Sequence, residues 1–264
     1  MDIALLGRFS VTVVGQTVVP SAPKPRQLLA QLASRANQAL PVATLIEELW
    51  GETPPRSART TLHTYVLQLR GLIGKAVPRG GDDSGIAKHV LETLPGGYRL
   101  DTDGGAVDFL EFETRAAAGY RAMDSEDFTA AARLLRDALS LWTAPALSGV
   151  RAGPHLRVEI NRMEEARLCA LERRIEADLR LGRHRELLSE LTLLVDQYPT
   201  HESLHGHYIL ALHRSGRRCE ALHAYQRLRA TLIGKLGLEP SQQLQRLQLA
   251  ILSARPAPAA AHMR

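Results

Sequence analysis

Between Arg56 and Arg70 the apolar residues Leu62, Val66 and Leu69 recur at spacings of three and four, and Ile73 continues the series. Only a helix brings residues so spaced onto one face. The opposite face then carries Arg59, Thr60, His63, Thr64, Leu67 and Gln68. That face has no carboxylate, unlike the Glu/Lys mixture of an ordinary solvated helix. Its hydroxyls, imidazole, amide and guanidinium are groups that reach phosphates or base edges in a DNA major groove. Such a helix needs a small core to bury its other side, and the flanking segments supply one.

Residues 3–19 alternate and are rich in β-branched types, with Gly15-Gln16 between two valine-containing runs, which predicts short antiparallel strands joined by a tight turn. Pro25 stands where a first helical position is expected, followed by an apolar stripe of Leu28, Leu29, Leu32, Ala33 and Ala36. Asn37 to Pro41 ends that helix, and a shorter one follows with Leu45, Ile46, Leu49 and Trp50 inward, stopping at Gly51. Glu52-Thr-Pro-Pro55 is a rigid turn into the acid-free helix. Gly74 to Ser84 is polar and glycine-rich and reads as a mobile loop. Residues 89–100 read as two strands around Pro95-Gly96-Gly97. Strands, three helices and a terminal hairpin make the layout of a winged helix-turn-helix, in which the third helix enters the major groove.

Composition narrows the function classes. At 264 residues there is room for two domains. The net charge is +5, and from Ser21 to Gly81 eight Lys and Arg stand against three Glu, also +5, so the remainder is balanced. The basic surplus sits on the segment holding the suspect helix, as an anionic partner requires. No stretch approaches the ~20 apolar residues of a membrane helix, and the N-terminus lacks the pattern of a signal peptide, so a cytoplasmic protein is expected. Cys169 and Cys219 form no metal or redox spacing and read as small buried hydrophobes. No cofactor, metal or catalytic residues are expected.

From Asp108 onward the pattern is helical, with Asp108 as an N-cap and Phe109 and Phe112 inward. Gly182-Arg-His-Arg-Glu-Leu-Leu and Gly216-Arg-Arg-Cys-Glu-Ala-Leu lie 34 residues apart, the tetratricopeptide period. Glu126-Asp-Phe128-Thr-Ala-Ala131 resembles the same half-repeat, displaced by one long helix from Arg157 to Leu181. The expected fold class is therefore mainly α with small β: residues 1–105 a winged helix-turn-helix, 106–254 an all-α tetratricopeptide-like domain, and 255–264 an Ala/Pro-rich disordered tail.

Several phrases together resemble the SARP family, the Streptomyces antibiotic regulatory proteins: Lys24-Pro-Arg-Gln-Leu-Leu-Ala30, Leu45-Ile-Glu-Glu-Leu-Trp-Gly51, residues 55–66, Gly96-Gly-Tyr-Arg-Leu100, Leu141-Trp142 with Pro145-Ala-Leu147, Ala211-Leu-His-Arg-Ser-Gly216 and Leu236-Gly-Leu-Glu-Pro240. They run in order across both domains. The resemblance implies an OmpR-like winged helix followed by a bacterial transcriptional activator domain. It further implies an activator of secondary-metabolite gene clusters that binds direct repeats in double-stranded DNA, protomers side by side, and recruits RNA polymerase through its σ subunit or α C-terminal domain. The chain looks like the small members without a fused ATPase, and it has no Gly-x-x-x-x-Gly-Lys loop. A protein–protein adaptor with a degenerate N-terminal domain is the alternative.

Helical phase and motif position assign the roles. Thr60, His63, Thr64, Leu67 and Gln68 are candidates for base edges, with Gln68 suited to adenine and Leu67 to a thymine methyl. Lys24, Arg26, Arg56, Arg59 and Arg70 are candidates for phosphates, Arg59 being open to guanine as well. Thr93 and Arg99 would position the wing. By analogy with OmpR-like proteins, Glu52, Thr53 and Pro54 form the polymerase contact loop. His201-Glu-Ser-Leu-His205 fits the H-E-x-x-H zinc pattern, but it also fits the first turn of a repeat helix, capped by Thr200, with His205 inward and His201 solvated. The second reading is preferred, because no third ligand or cleft is marked.

Overall fold

The computed structural model describes residues 1–76 and 83–253; the tail expected to be disordered and most of the glycine-rich stretch after the acid-free helix lie outside them. The described residues are mostly helical with two small sheets, and the chain divides into two compact units that are not contiguous in sequence. One joins Met1–Ala118 with Arg136–Ala170; the other joins Gly119–Leu135 with the chain from Leu171 onward.

The first unit opens with β1 (Asp2–Ala4), β2 (Ser10–Val13) and β3 (Gln16–Thr17), an antiparallel sheet in that order. Val14 and Gly15 both adopt positive φ, 49° and 76°, which matches the turn to the right-handed twist of its strands. Helix α1 (Pro23–Ser34) begins two residues earlier than the proline at 25 indicated, with Pro23 in its first turn. It buries Leu28, Leu29, Leu32 and Ala33. Ala39–Pro41 is not merely a helix stop. It forms strand β4, pairing with the terminal hairpin, which a three-residue segment without alternation could not announce. Helix α2 (Val42–Trp50) ends at Gly51, whose φ of 62° lets the chain turn sharply.

Helix α3 (Ala58–Ala76) is the acid-free helix. Both ends of the stretch expected to be a loop, Gly74 to Ser84, are helical: α3 runs through Ala76, and an unexpected helix, α4 (Asp83–Val90), begins before Ser84. His89 and Val90 therefore close a helix rather than open a strand. Strands β5 (Leu91–Leu94) and β6 (Gly97–Leu100) make the wing, in a sheet ordered β4-β6-β5.

Helices α5 (Asp108–Asp124), α6 (Phe128–Leu139) and α7 (Pro154–Arg180) follow. The start of α5, the segment after α6 and the start of α7 pack with the winged helix for identifiable reasons. Leu5, Leu6 and Gly7 offer their carbonyls to the amides of Leu147, Thr143 and Ser148. Asp108, expected to cap its own helix, instead accepts from the amides of Leu5 (2.8 Å) and Leu6 (3.0 Å). Burial pushes its carboxyl up, and those backbone N–H groups oppose the shift. Phe109, Phe112 and Trp142 form one aromatic cluster beside them, with Phe112 edge-on to Trp142 at 5.6 Å.

The second unit carries the repeat helices α8 (His184–Gln197), α9 (Glu202–Arg214), α10 (Arg218–Leu236) and α11 (Gln242–Ser253). Gly182 and Gly216, one period apart, take the same left-handed conformation, φ 81° and 82°, so the turn is repeated along with the sequence. Ile209, Leu212, Tyr225, Leu228, Leu244 and Ile251 share one core. Asp127 accepts from the amide of Ala130 at 2.9 Å, an N-cap of α6 as its acidic neighbourhood suggests. Arg174 bridges Asp178 and Glu190 across α7 and α8. Both cysteines are exposed, contrary to expectation, because each falls on the solvent side of its helix.

Candidate nucleic-acid interface

Ala58, Leu62, Val66, Leu69, Ile73 and Ala76 form the buried stripe of α3, each at 5% exposure or less. Burying the four large ones stabilises the helix by roughly 1.5–3 kcal/mol apiece, enough to hold a helix whose other side makes few contacts. That other side is as the helical phase requires: Arg59, Thr60, His63, Thr64, Leu67 and Gln68 are all exposed. Leu67 is 53% exposed, a large apolar side chain with no intramolecular use. Thr64 Oγ1 donates to the Thr60 carbonyl at 3.0 Å, so its hydroxyl hydrogen is already committed within the helix. Among the described residues, Arg56, Arg59, His63 and Gln68 have no ion pair or side-chain hydrogen bond.

The five candidate phosphate cations divide. Arg56 and Arg59, at the entry to α3, are exposed and uncommitted. Lys24 donates to the Leu49 carbonyl at the end of α2 and lies 5.1 Å from the Trp50 ring centroid. Burial, and secondarily the charge of Arg151, hold its ammonium below the ordinary lysine range. Arg26 donates to the carbonyls of Pro20 (3.0 Å), Gly149 (3.3 Å) and Ser21 (3.4 Å). Arg70 clamps the wing: Nε and Nη2 donate to the Leu91 carbonyl at 2.9 and 2.6 Å, and Nη2 also to Thr93 Oγ1 at 2.8 Å. In the wing itself Thr93 is exposed, while Arg99 is half-buried and paired with Glu92 at 2.7 Å. Glu52, Thr53 and Pro54 are all exposed on the turn between α2 and α3.

One residue that sequence reasoning passed over holds this frame together. Glu48 is 2% exposed, and its carboxylate accepts from Gln27 Nε2 (2.8 Å), the Gly153 amide (2.6 Å) and the Leu156 amide (3.0 Å). It thus ties α1 and α2 to the first turn of α7, with the favourable charge for a helix N-terminus. A Cβ on Gly153 would lie 2.1 Å from the Glu48 carbonyl oxygen, so the approach requires glycine. The signal available was an acidic residue on the inward face of an amphipathic helix, which normally marks a partner.

The histidines of the H-E-x-x-H segment behave as a helix start. His205 is buried, His201 sits at the N-cap position and meets Glu172 at 3.3 Å, and no group of three metal-ligating side chains occurs among the described residues. The cap is His201 rather than Thr200, and it makes no side-chain hydrogen bond to the helix.

Known proteins share both parts of the chain. Residues 15–100 match the family model "Transcriptional regulatory protein, C terminal", and residues 107–252 match "Bacterial transcriptional activator domain". The regulatory protein DnrI of Streptomyces peucetius is 47% identical over 97% of this chain and 93% of its own length. The regulatory protein AfsR of Streptomyces coelicolor is 39% identical over 92% of this chain, which spans 23% of that protein. The solved structure of Mycobacterium tuberculosis EmbR, in complex with a low-affinity phosphopeptide, superposes with a TM-score of 0.85 at 34% identity, covering 97% of this chain and 66% of that one. With both models matched in order and nearly the full length aligned, the chain belongs to the SARP family of transcriptional regulators.

Proposed function

We propose that this regulator is a sequence-specific DNA-binding activator of a secondary-metabolite gene cluster, working in the cytoplasm on direct repeats near a promoter. Residues 1–105 read the DNA and residues 106–254 carry the activator role. The observation that supports it most is the outer face of α3, fully exposed, free of carboxylates and bearing an uncommitted Gln68 beside an exposed Leu67. Gln68 pairs with adenine, Leu67 and the threonine methyls meet thymine methyls, and Thr60 and His63 complete the base contacts. Arg56 and Arg59 hold phosphates. Lys24, Arg26 and Arg70 come second there, because each already donates to backbone carbonyls and keeps only spare donors for DNA. Thr93 and Arg99 set the wing.

Activation proceeds by recruitment. Two protomers lie side by side on the repeats, and the exposed turn Glu52-Thr53-Pro54 meets RNA polymerase, at σ or the α C-terminal domain. Selection of genomic fragments by the purified protein, followed by titration at several salt concentrations, tests the reading. Repeated half-sites about one helical turn apart with steeply salt-dependent affinity are expected; no enrichment over random DNA would sink it. Substituting Glu52 and Thr53 together should lower transcription while leaving DNA affinity intact, and equal losses in both would remove the loop from the mechanism.

A further inference from the structure

Two stretches of the chain, residues 3–46 and 138–158, contain no Asp or Glu, and the fold brings them together at one place. A cavity of about 390 Å³ is lined by Lys24 of α1, Gly51 and Thr53 of the turn before α3, and Arg151 and Arg157 at the entry to α7. Its one carboxylate, Glu48, is buried and already saturated by three N–H donors. Arg151 and Arg157 are exposed. Arg151 has no hydrogen-bond or ion-pair partner among the described residues, and Arg157 makes one long contact, 3.5 Å, to the Ala152 carbonyl.

The rest of α7 shows how unusual this is. Arg162, Arg167, Arg173, Arg174 and Arg180 each pair with a carboxylate. Arg157 is the α7 arginine left out, and it stands on the same cavity as Arg151 and Lys24. Like charges gathered without counter-charge cost stability through mutual repulsion, a cost that an anionic partner offsets. The cavity also borders the turn that leads within three residues to Arg56 and the first turn of α3. A recognition helix meets base edges with its N-terminal residues, so the backbone just before it rides over the phosphates at the groove edge. An acidic protein segment would also suit three cations, but adjacency to the helix entry favours DNA.

We propose that Arg151 and Arg157, which lie in the activator domain by sequence, are phosphate contacts that extend the DNA footprint beyond the winged helix. The proposal rests on the DNA-binding reading above. Its test uses the full chain, the best genomic fragment recovered by selection, and a mixed-sequence duplex. Neutralising both arginines (R151A with R157A) should reduce the slope of log affinity against log salt by about 2, equally on both duplexes, with the preferred sequence unchanged. The control R185A with R246A removes the same charge from exposed positions of the second unit and should leave the slope unchanged. An unaltered slope in the first variant, or an equal loss in the control, overturns the proposal. So does an unaltered slope with a fall in activated transcription, which would assign the cluster to an acidic protein partner. Failure of the unsubstituted chain to bind either duplex with salt dependence would instead overturn the DNA-binding reading itself.

Discussion

Helices α3 and α7 both carry arginines, and they use them in opposite ways. Along α7 the guanidinium groups of residues 162 to 180 are matched by Glu and Asp, in one case (Arg174) almost wholly buried. On α3 the outward face has no carboxylate, and Arg59, His63 and Gln68 keep their donors free. Charges consumed internally hold helices together; charges left over are available to a partner. A count of basic residues does not separate the two, but the pairing of each one does.

Substitutions can break or sharpen that contrast. The largest effect is expected at Glu48, which is buried with three donors. Glu48→Ala should cost about 3 kcal/mol or more and lower the unfolding midpoint of the first unit, because buried N–H groups lose their acceptor. A change below about 1 kcal/mol in denaturant unfolding would mean that water replaces the carboxylate. Arg174→Ala in α7 should cost less, about 1–2 kcal/mol, since buried Asp178 keeps Arg183 at 2.7 Å and the Glu190 side chain is 41% exposed. Both are losses of stability, read by unfolding.

The α3 substitutions should be nearly silent in unfolding and loud in binding. Gln68→Ala should leave stability within about 0.5 kcal/mol and cost roughly 1–3 kcal/mol of discrimination at one base step. A sequence preference that survives this change would show that the helix sits in the groove at another phase. Arg56→Ala should weaken specific and mixed-sequence duplexes alike and lower the salt slope by about 1. Loss at only one sequence would make Arg56 a base contact.

The smallest effect concerns pH. Burial, foremost, holds the His205 imidazole below its ordinary value of about 6.5. The unfolded chain therefore takes up a proton near that pH while the folded chain stays neutral. The contribution to stability is complete above about pH 6.5 and is lost as the pH falls from there through the folded value. His205→Leu should flatten that acid-side decline in the thermal midpoint; an unchanged profile would place the titrating group elsewhere, with His207, lowered for the same reason, next to examine.

Much of this was legible in the residues alone. The spacing of Leu62, Val66, Leu69 and Ile73 fixed both the helix and its outward face, because helical period is a local property. The interval between Gly182 and Gly216 did the same for the repeat turns. Strand β4 and helix α4 were missed, since each is short and owes its form to a neighbour: β4 to its ladder with β6, α4 to its packing on α3. The two exposed cysteines were misjudged because burial depends on which way a helix face turns.

What the sequence determined by itself was the family, the mainly α architecture and the identity of an acid-free helix, all carried by local pattern and composition. Only the tertiary structure decided which cations are free. Lys24, Arg26 and Arg70 read as phosphate ligands along the chain, yet carbonyls of Leu49, Pro20 and Leu91 reach them first. Nothing along the chain singles out Arg151 and Arg157, yet folding sets them on one cavity with Lys24, whose lining carboxylate, Glu48, is already taken by three N–H donors. The reason is that an ion's partner is chosen by distance in space, and residues 24, 48, 151 and 157 meet only after the chain has folded.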